Sequence, residues 1–171
     1  AIDFAALKHQ MQLRKDKTQT SYLVHPLSVA HQLIVIGKVR NPNVMIAGLL
    51  HDTLEDTETT YPELVERFGR ATADFVYEVS DDKNLPKGER KRLQVASARY
   101  LSAGAAQIKL ADKWDNLKDT LHHPPLDWEN HTIAAYFKWS QQVIERLPWV
   151  NANLLQAVQD VIQNFYRIKT L

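Results

Sequence analysis

Residues 44–57, Val-Met-Ile-Ala-Gly-Leu-Leu-His-Asp-Thr-Leu-Glu-Asp-Thr, constrain the chain more than any other stretch. An apolar helical run ends in four ionisable side chains: His51, Asp52, Glu55 and Asp56. On a continuous helix His51 lies one turn before Glu55, and Asp52 one turn before Asp56, which predicts two stacked polar pairs. The pairs fall about 100° apart around the axis, beside the face that Ala47, Leu50 and Leu54 bury. Acids and imidazole next to a core are costly unless something neutralises them, and a metal ion does so most directly.

The remaining sequence reads as helices around that stretch. Residues 4–13 are expected to be helical, with Phe4, Leu7 and Met11 in one stripe, and residues 14–21 form a polar loop. Pro26 disfavours helical geometry at His25 and suits a first helical position. Its helix runs to Ile36 with Leu27, Ala30 and Ile34 on one face, and Gly37 ends it. Asn41 and Pro42 begin the central helix, and Thr60 with Glu63 forms a capping box for a helix ending at Gly69. Further helices are expected over residues 71–79, 89–101 (broken by Gly104) and 105–121, the last stopped by His122-His123-Pro124-Pro125. Asp127 is expected to cap a helix to Leu147. Asn151 caps the last, which spaces Leu154, Leu155, Val158, Val161, Ile162 and Phe165 along one face. No alternating β-branched run, repeat or linker stands out. The expectation is a single all-α domain over residues 1–171, a bundle of about eight or nine helices, long enough for a sizeable core.

Composition narrows the function. The chain has no cysteine, which excludes disulfides, thiolate-held zinc and thiol catalysis. Its net charge of +1 creates no global field toward nucleic acid or a membrane, so neither is an expected partner. No apolar run reaches the roughly 18 residues of a membrane span. There is no signal-peptide pattern, and the location expected is cytoplasmic.

A His-Asp dipeptide alone says little; its company says more. His25 stands at the mouth of one helix, and Asp112 shares a helix face with Asn116. His25, His51, Asp52 and Asp112 would bring two imidazoles and two carboxylates from three helices. Nitrogen and oxygen donors without sulfur suit Mn, Fe or Zn, and helix bundles build metal sites this way. Each residue also has a plainer reading: His25 as a cap, His51 and Asp52 as a buried hydrogen-bonded pair, Asp112 as a helix partner of Asn116. Glu55 and Asp56 weigh toward the cation, because crowded carboxylates raise one another's proton affinity.

These residues also carry a likeness. Together with residues 14–16, 22–30, 49–57, 81–87, 89–94, 109–113 and 136–139, they resemble the HD superfamily of metal-dependent phosphohydrolases. More narrowly, the chain is similar to the hydrolase half of the RelA/SpoT alarmone enzymes and to the small stand-alone Mesh-type hydrolases. The segments follow the family's order and cover most of the chain, and no Gly-Tyr-Pro tripeptide points to the cyclic-dinucleotide branch. The resemblance implies an HD-type helical bundle that hydrolyses the 3′-pyrophosphate of (p)ppGpp-type alarmones to GDP or GTP and pyrophosphate. It implies one Mn²⁺, with Fe or Zn as alternatives, held by His25, His51, Asp52 and Asp112, and catalysis by Glu55 and Asp56.

For the substrate, the resemblance implies a nucleotide gripped by Arg14, which stacks on a base, and by Lys15. Asn116 would contact base or ribose and Tyr136 the ribose. Lys83, Lys87, Arg90 and Lys91 form a basic patch suited to phosphates. A solvated loop, a helix-face hydrogen bond and a core aromatic are the plainer readings of these residues. Thr132 stands where some relatives carry Arg, and His122, His123 and His131 have no assigned role. Two other readings share the site: action on an adenosine alarmone (ppApp) or on the 2′-phosphate of NADPH. A third is a non-catalytic nucleotide-binding module, against which the intact Glu55–Asp56 pair counts. The length leaves no room for a synthetase domain, so degradation without synthesis is expected, and oligomeric state is open.

Overall fold

The computed structural model describes residues 1–148 and 151–169. Its helices are α1 (Ile2–Lys8), α2 (Val24–Val35), α3 (Pro42–Leu50), α4 (Thr53–Asp56), α5 (Tyr61–Phe68), α6 (Arg70–Val79), α7 (Lys87–Ser97), α8 (Ala103–His122), α9 (Asn130–Ile144) and α10 (Ala152–Lys169). The turn Ala98–Tyr100 extends α7 as a 3-10 helix. Because α4 is a single turn of four residues, nine longer helices remain among the described residues, in line with the expected all-α bundle. No described helix is long and apolar enough to cross a membrane.

Helix α8 is the axis, packing against α2, α3, α6, α9 and α10. Ser102 caps it by accepting from the Ala105 amide. Small buried residues along it, Gly104, Ala105, Ala106 and Ala111, let neighbours approach closely. Against it α10 lays Leu154, Val158, Ile162 and Phe165, all buried as their spacing predicts. Phe165 stacks on Phe137 of α9 with ring centroids 3.9 Å apart. A second close approach joins α2 and α3: a Cβ at Gly48 would lie 2.4 Å from Leu33 Cδ1. That contact brings the end of α3 beside the start of α2.

Several expected boundaries move. Helix α1 stops at Lys8, leaving Leu7 and Met11 exposed rather than in a buried stripe. Helix α2 begins at Val24, so His25 is helical and Pro26 sits one residue further in, still where an amide has no helical acceptor. Its buried face is His25, Val29, Gln32 and Leu33, while Leu27 and Ile34 face outward. Thr60 caps α5 through the Glu63 amide, but the Glu63 carboxylate binds Lys8 at 3.0 Å instead of closing the box. Gly104 does not break a helix; it lies inside α8, where Phe75 fills the space a Cβ would take. The residue that precedes helix α9 is Glu129 and not Asp127, and its side chain makes no capping bond.

Truncating the aromatic stack measures how far α10 is held by apolar packing. Phe137→Ala is expected to cost about 3–5 kcal/mol in urea unfolding, because Phe137 is fully buried. A loss below about 1 kcal/mol would show that the stack contributes little.

Candidate active site

The helix predicted through residues 44–57 is interrupted at His51 and Asp52. Side chains consume the carbonyls that would have continued it. His51 Nδ1 donates to Gly48 O at 2.8 Å, and Thr53 Oγ1 donates to Leu50 O at 2.7 Å. The chain turns and restarts as α4, with Asp56 N donating to Asp52 O at 2.8 Å. On a continuous helix adjacent side chains diverge by about 100°. Here they meet, His51 Nε2 lying 3.0 Å from Asp52 Oδ2. The expected stacking of His51 on Glu55 and of Asp52 on Asp56 is replaced by two separate clusters.

The first cluster gathers the four expected ligands. His25 Nε2 lies 3.2 Å from His51 Nε2, 3.5 Å from Asp52 Oδ2 and 3.4 Å from Asp112 Oδ1. His51 Nε2 lies 3.7 Å from Asp112 Oδ1. The outer nitrogens fix the tautomers: His51 Nδ1 faces a carbonyl, and His25 Nδ1 donates to Asp115 Oδ2 at 2.6 Å. Each neutral ring therefore turns a bare Nε2 lone pair toward the carboxylates. Four acceptors converge with no proton of their own to share. Metal–ligand bonds of about 2.0–2.2 Å place neighbouring donors roughly 3.0–3.5 Å apart, so the cluster fits a divalent ion. Among the described residues, His25, His51 and Asp52 bring ligand atoms within 4.8 Å of one another, a group that does not include Asp112. Tyr22 donates to Asp52 Oδ2 at 2.5 Å, and Asn116 to Asp112 Oδ1 at 2.6 Å, fixing both carboxylates.

Burial opposes charge on both rings, yet the carboxylates overcome it. Asp112, Asp115 and Asp52 hold His25 well above its ordinary value, and Asp52 and Asp112 push His51 up to about 9. Asp52 in turn sits well below the usual carboxylate range, because the two imidazoles outweigh its own burial.

The second cluster holds Glu55 and Asp56. Lys83 lies 3.2 Å from Glu55 Oε1 and 2.6 Å from Asp56 Oδ1, with Arg90 Nη1 3.6 Å from Glu55. The Asp81 amide donates to Glu55 Oε2 at 3.0 Å. Burial still raises Glu55 above its ordinary 4.5, with nearby Asp52 and Asp81 adding to the effect. The mutual repulsion expected of these acids is thus relieved largely by two cations of the protein.

Both clusters adjoin a cleft of about 420 Å³. Glu55, Tyr22 and Asn116 line it, so the imidazole cluster stands one side chain behind its wall. Arg14, Lys15, Lys87 and Tyr136 line it too, as do Lys83, Arg90 and Lys91 of the basic patch. Arg14 is no solvated loop residue: its Nε and Nη2 grip Asp119 Oδ2 at 3.1 and 2.5 Å. A short hairpin presents it, with the Arg14 amide bonded to Thr20 O at 2.8 Å and Gln19 at φ 49° in the turn. Tyr136 belongs to an aromatic wall with Trp128 and Trp139, over which the Lys87 and Lys91 ammoniums sit. Thr132 is outside the cleft lining, as are His122 and His131, whereas His123 is part of it.

Sequence reasoning missed Tyr22, Asp115 and Asp119. Asp115 follows Asp112 by one turn of α8, a spacing that places both on the face toward α2. That signal was available. Nothing local distinguishes Asp119 from a solvated acid.

Comparison with known proteins bears on the family and the fold. A family model described as "HD domain" matches residues 1–138. The human guanosine-3′,5′-bis(diphosphate) 3′-pyrophosphohydrolase MESH1 is 45% identical over 163 residues, covering 95% of this chain and 91% of that one. A guanosine-3′,5′-bis(diphosphate) 3′-pyrophosphohydrolase of Aquifex aeolicus is 41% identical over 124 residues, 69% of this chain and 17% of that longer protein. The solved structure of a metazoan orthologue of SpoT that hydrolyses ppGpp superposes with a TM-score of 0.93 at 39% identity, over 95% of this chain and 92% of that one.

Without an ion, protons take the cation's place, which sets a pH dependence. His51 rises from an ordinary 6.5 to about 9, so its contribution to stability is full below pH 6.5 and is lost as pH climbs through about 9. The melting temperature of chelator-treated protein is expected to fall across that window. Mn²⁺ affinity, measured by calorimetry, is expected to rise across it, because the ion displaces those protons. A melting temperature and an affinity that both stay flat would exclude a proton-held cluster.

Proposed function

The chain belongs to the HD domain family and stands with its MESH1-type members; from that premise we propose that it is a (p)ppGpp 3′-pyrophosphohydrolase. It cleaves the 3′-pyrophosphate, releasing pyrophosphate and GDP or GTP. His25, His51, Asp52 and Asp112 hold one divalent ion, manganese on this reading. The observation that carries the reading is the convergence of two bare Nε2 atoms and two carboxylates, which only a cation or added protons can satisfy. The relatives' names and the close superposition on a ppGpp-hydrolysing structure support the substrate.

A divalent ion bound there supplies Lewis acidity toward phosphoryl oxygens and makes water easier to deprotonate. The protein's own groups do the rest. Glu55 accepts the proton of the attacking water, and burial makes it a better acceptor than a free carboxylate. The water oxygen bonds to the phosphorus nearest the ribose, the bond to the ribose 3′ oxygen breaks, and that oxygen takes up a proton. Asp56 holds Lys83 beside Glu55, so the ammonium stands on the side of the attacking water, where it offsets charge gathering on the phosphoryl oxygens. Arg14, clamped flat by Asp119, offers its guanidinium plane to the base, with Lys15 beside it. Asn116 and Tyr136 border the ribose, and Lys87 with Arg90 and Lys91 takes phosphate charge.

The test is product analysis with ppGpp and Mn²⁺, run beside ppApp and NADPH. Pyrophosphate and GDP in equal amounts are expected from ppGpp. Glu55→Gln is expected to keep Mn²⁺ affinity and lose roughly 10²–10⁴-fold in kcat, whereas Asp52→Ala loses both. No pyrophosphate from ppGpp, or wild-type turnover by Glu55→Gln, would overturn the reading.

A further inference from the structure

Helix α7 lines the cleft yet buries none of its side chains. Val95 packs against the core, and the remaining attachments are polar. Trp139 Nε1 donates to Lys91 O at 3.0 Å, Arg90 reaches Glu55, and the third attachment is Gln94. Gln94 Nε2 donates to Asp81 Oδ2 at 2.7 Å, and its Oε1 accepts from Lys113 Nζ at 3.3 Å. Asp81 is the residue whose amide holds Glu55 Oε2 at 3.0 Å. Lys113 stands on α8 next to Asp112, its Nζ 3.8 Å from Asp112 Oδ2. A continuous chain of contacts thus runs from Asp112 through Lys113, Gln94 and Asp81 to Glu55.

Only a neutral side chain with both a donor and an acceptor fits the middle of that chain. It must give a proton to a carboxylate on one side and take one from an ammonium on the other. A carboxylate there would face Asp81 charge to charge, and an apolar group would remove the donor to Asp81 Oδ2 and one of the partners of Lys113. We propose that Gln94 is a positioning residue: it pins the Asp81 turn to α8 and thereby sets the Glu55 carboxylate relative to Asp112. The inference rests on the assignment of Glu55 as the base. It concerns alignment of the base and not the grip on substrate, although Gln94 also borders the cleft.

The experiment reverses the polarity of the Gln94–Asp81 bond. Gln94→Glu sets two carboxylates against each other. Adding Asp81→Asn restores a donor opposite the new acceptor, which still faces Lys113. The single variant is expected to lose roughly tenfold or more in kcat on ppGpp, since misalignment of a general base forfeits part of its 10²–10⁴-fold contribution. KM is expected to stay within about twofold and Mn²⁺ affinity to stay unchanged, with the acid limb of the pH profile displaced. The double variant recovers most of the rate and the original acid limb. Should the single variant fail to fold, Gln94→Leu gives the same readings. Wild-type kcat, a change in KM alone, or a folded double variant without recovery would each overturn the proposal. Crystal structures of the same variants separate it from the functional reading. The bond between the Asp81 amide and Glu55 is expected to open in Gln94→Glu and to close again in the double variant, whatever the substrate proves to be. An unchanged bond overturns the positioning role, whereas a wild-type protein inert toward ppGpp overturns only the functional reading.

Discussion

Two imidazoles face each other, Nε2 to Nε2, 3.2 Å apart, with both outer nitrogens already committed. That arrangement repels itself unless a positive charge lies between the rings. The fold holds it through packing: α2 and α3 meet over Gly48, and α8 closes the third side with Asp112 and Asp115. Rigidity comes from the partners of the ligating groups as much as from the core. Tyr22, Gly48, Asp115 and Asn116 each fix one ligand side chain, so the cluster is set before anything binds.

Charge is distributed unevenly around this point. The chain as a whole carries only +1, but one wall of the cleft collects Lys83, Lys87, Arg90 and Lys91 from the α6–α7 loop and α7. Glu55 answers them in the lining, and Asp52, Asp56 and Asp112 lie behind it. A polyanion entering the cleft would meet cations on the wall, with the acids of the imidazole cluster behind it. The field is therefore local, and a low net charge is no argument against a highly charged ligand.

The sequence made the all-α class and the last helix legible, because apolar spacing on α10 survives in the burial of Leu154, Val158, Ile162 and Phe165. It misled on α2. Apolar periodicity placed Leu27 and Ile34 inward, whereas the structure buries His25 and Gln32 and turns those residues out. A polar site has taken the inner face, and hydrophobic patterning ranks such a face last. The grouping of His25, His51, Asp52 and Asp112 was readable from residue types. The break that lets His51 and Asp52 converge was not, because it depends on where the His51 and Thr53 side chains find carbonyls. Asp119 was invisible for the opposite reason: its partner Arg14 arrives from a hairpin far away in sequence.

The two clusters differ in how they are built, and that difference bears on how the site works. The imidazole cluster sits on helices with buried apolar faces, so displacing it means disturbing the core. The Glu55 cluster is held by the Asp81 turn and by α7, whose attachments apart from Val95 are mainly polar and whose side chains are all at least partly exposed. Core-held groups keep the donor geometry that an ion requires within tenths of an ångström. Polar attachments are individually worth about 1 kcal/mol and yield more readily. On the proposed function, the α7 cations that would receive phosphate stand on the softer element, and the groups that would hold an ion stand on the harder one. Lys83 and Arg90 contact both Glu55 and the cleft, so on the proposed function phosphates that drew these cations toward themselves would release Glu55 from its ion pairs. Filling the cleft and freeing the proposed base would then be one electrostatic event, carried by the α6–α7 loop through Lys83 and by α7 through Arg90.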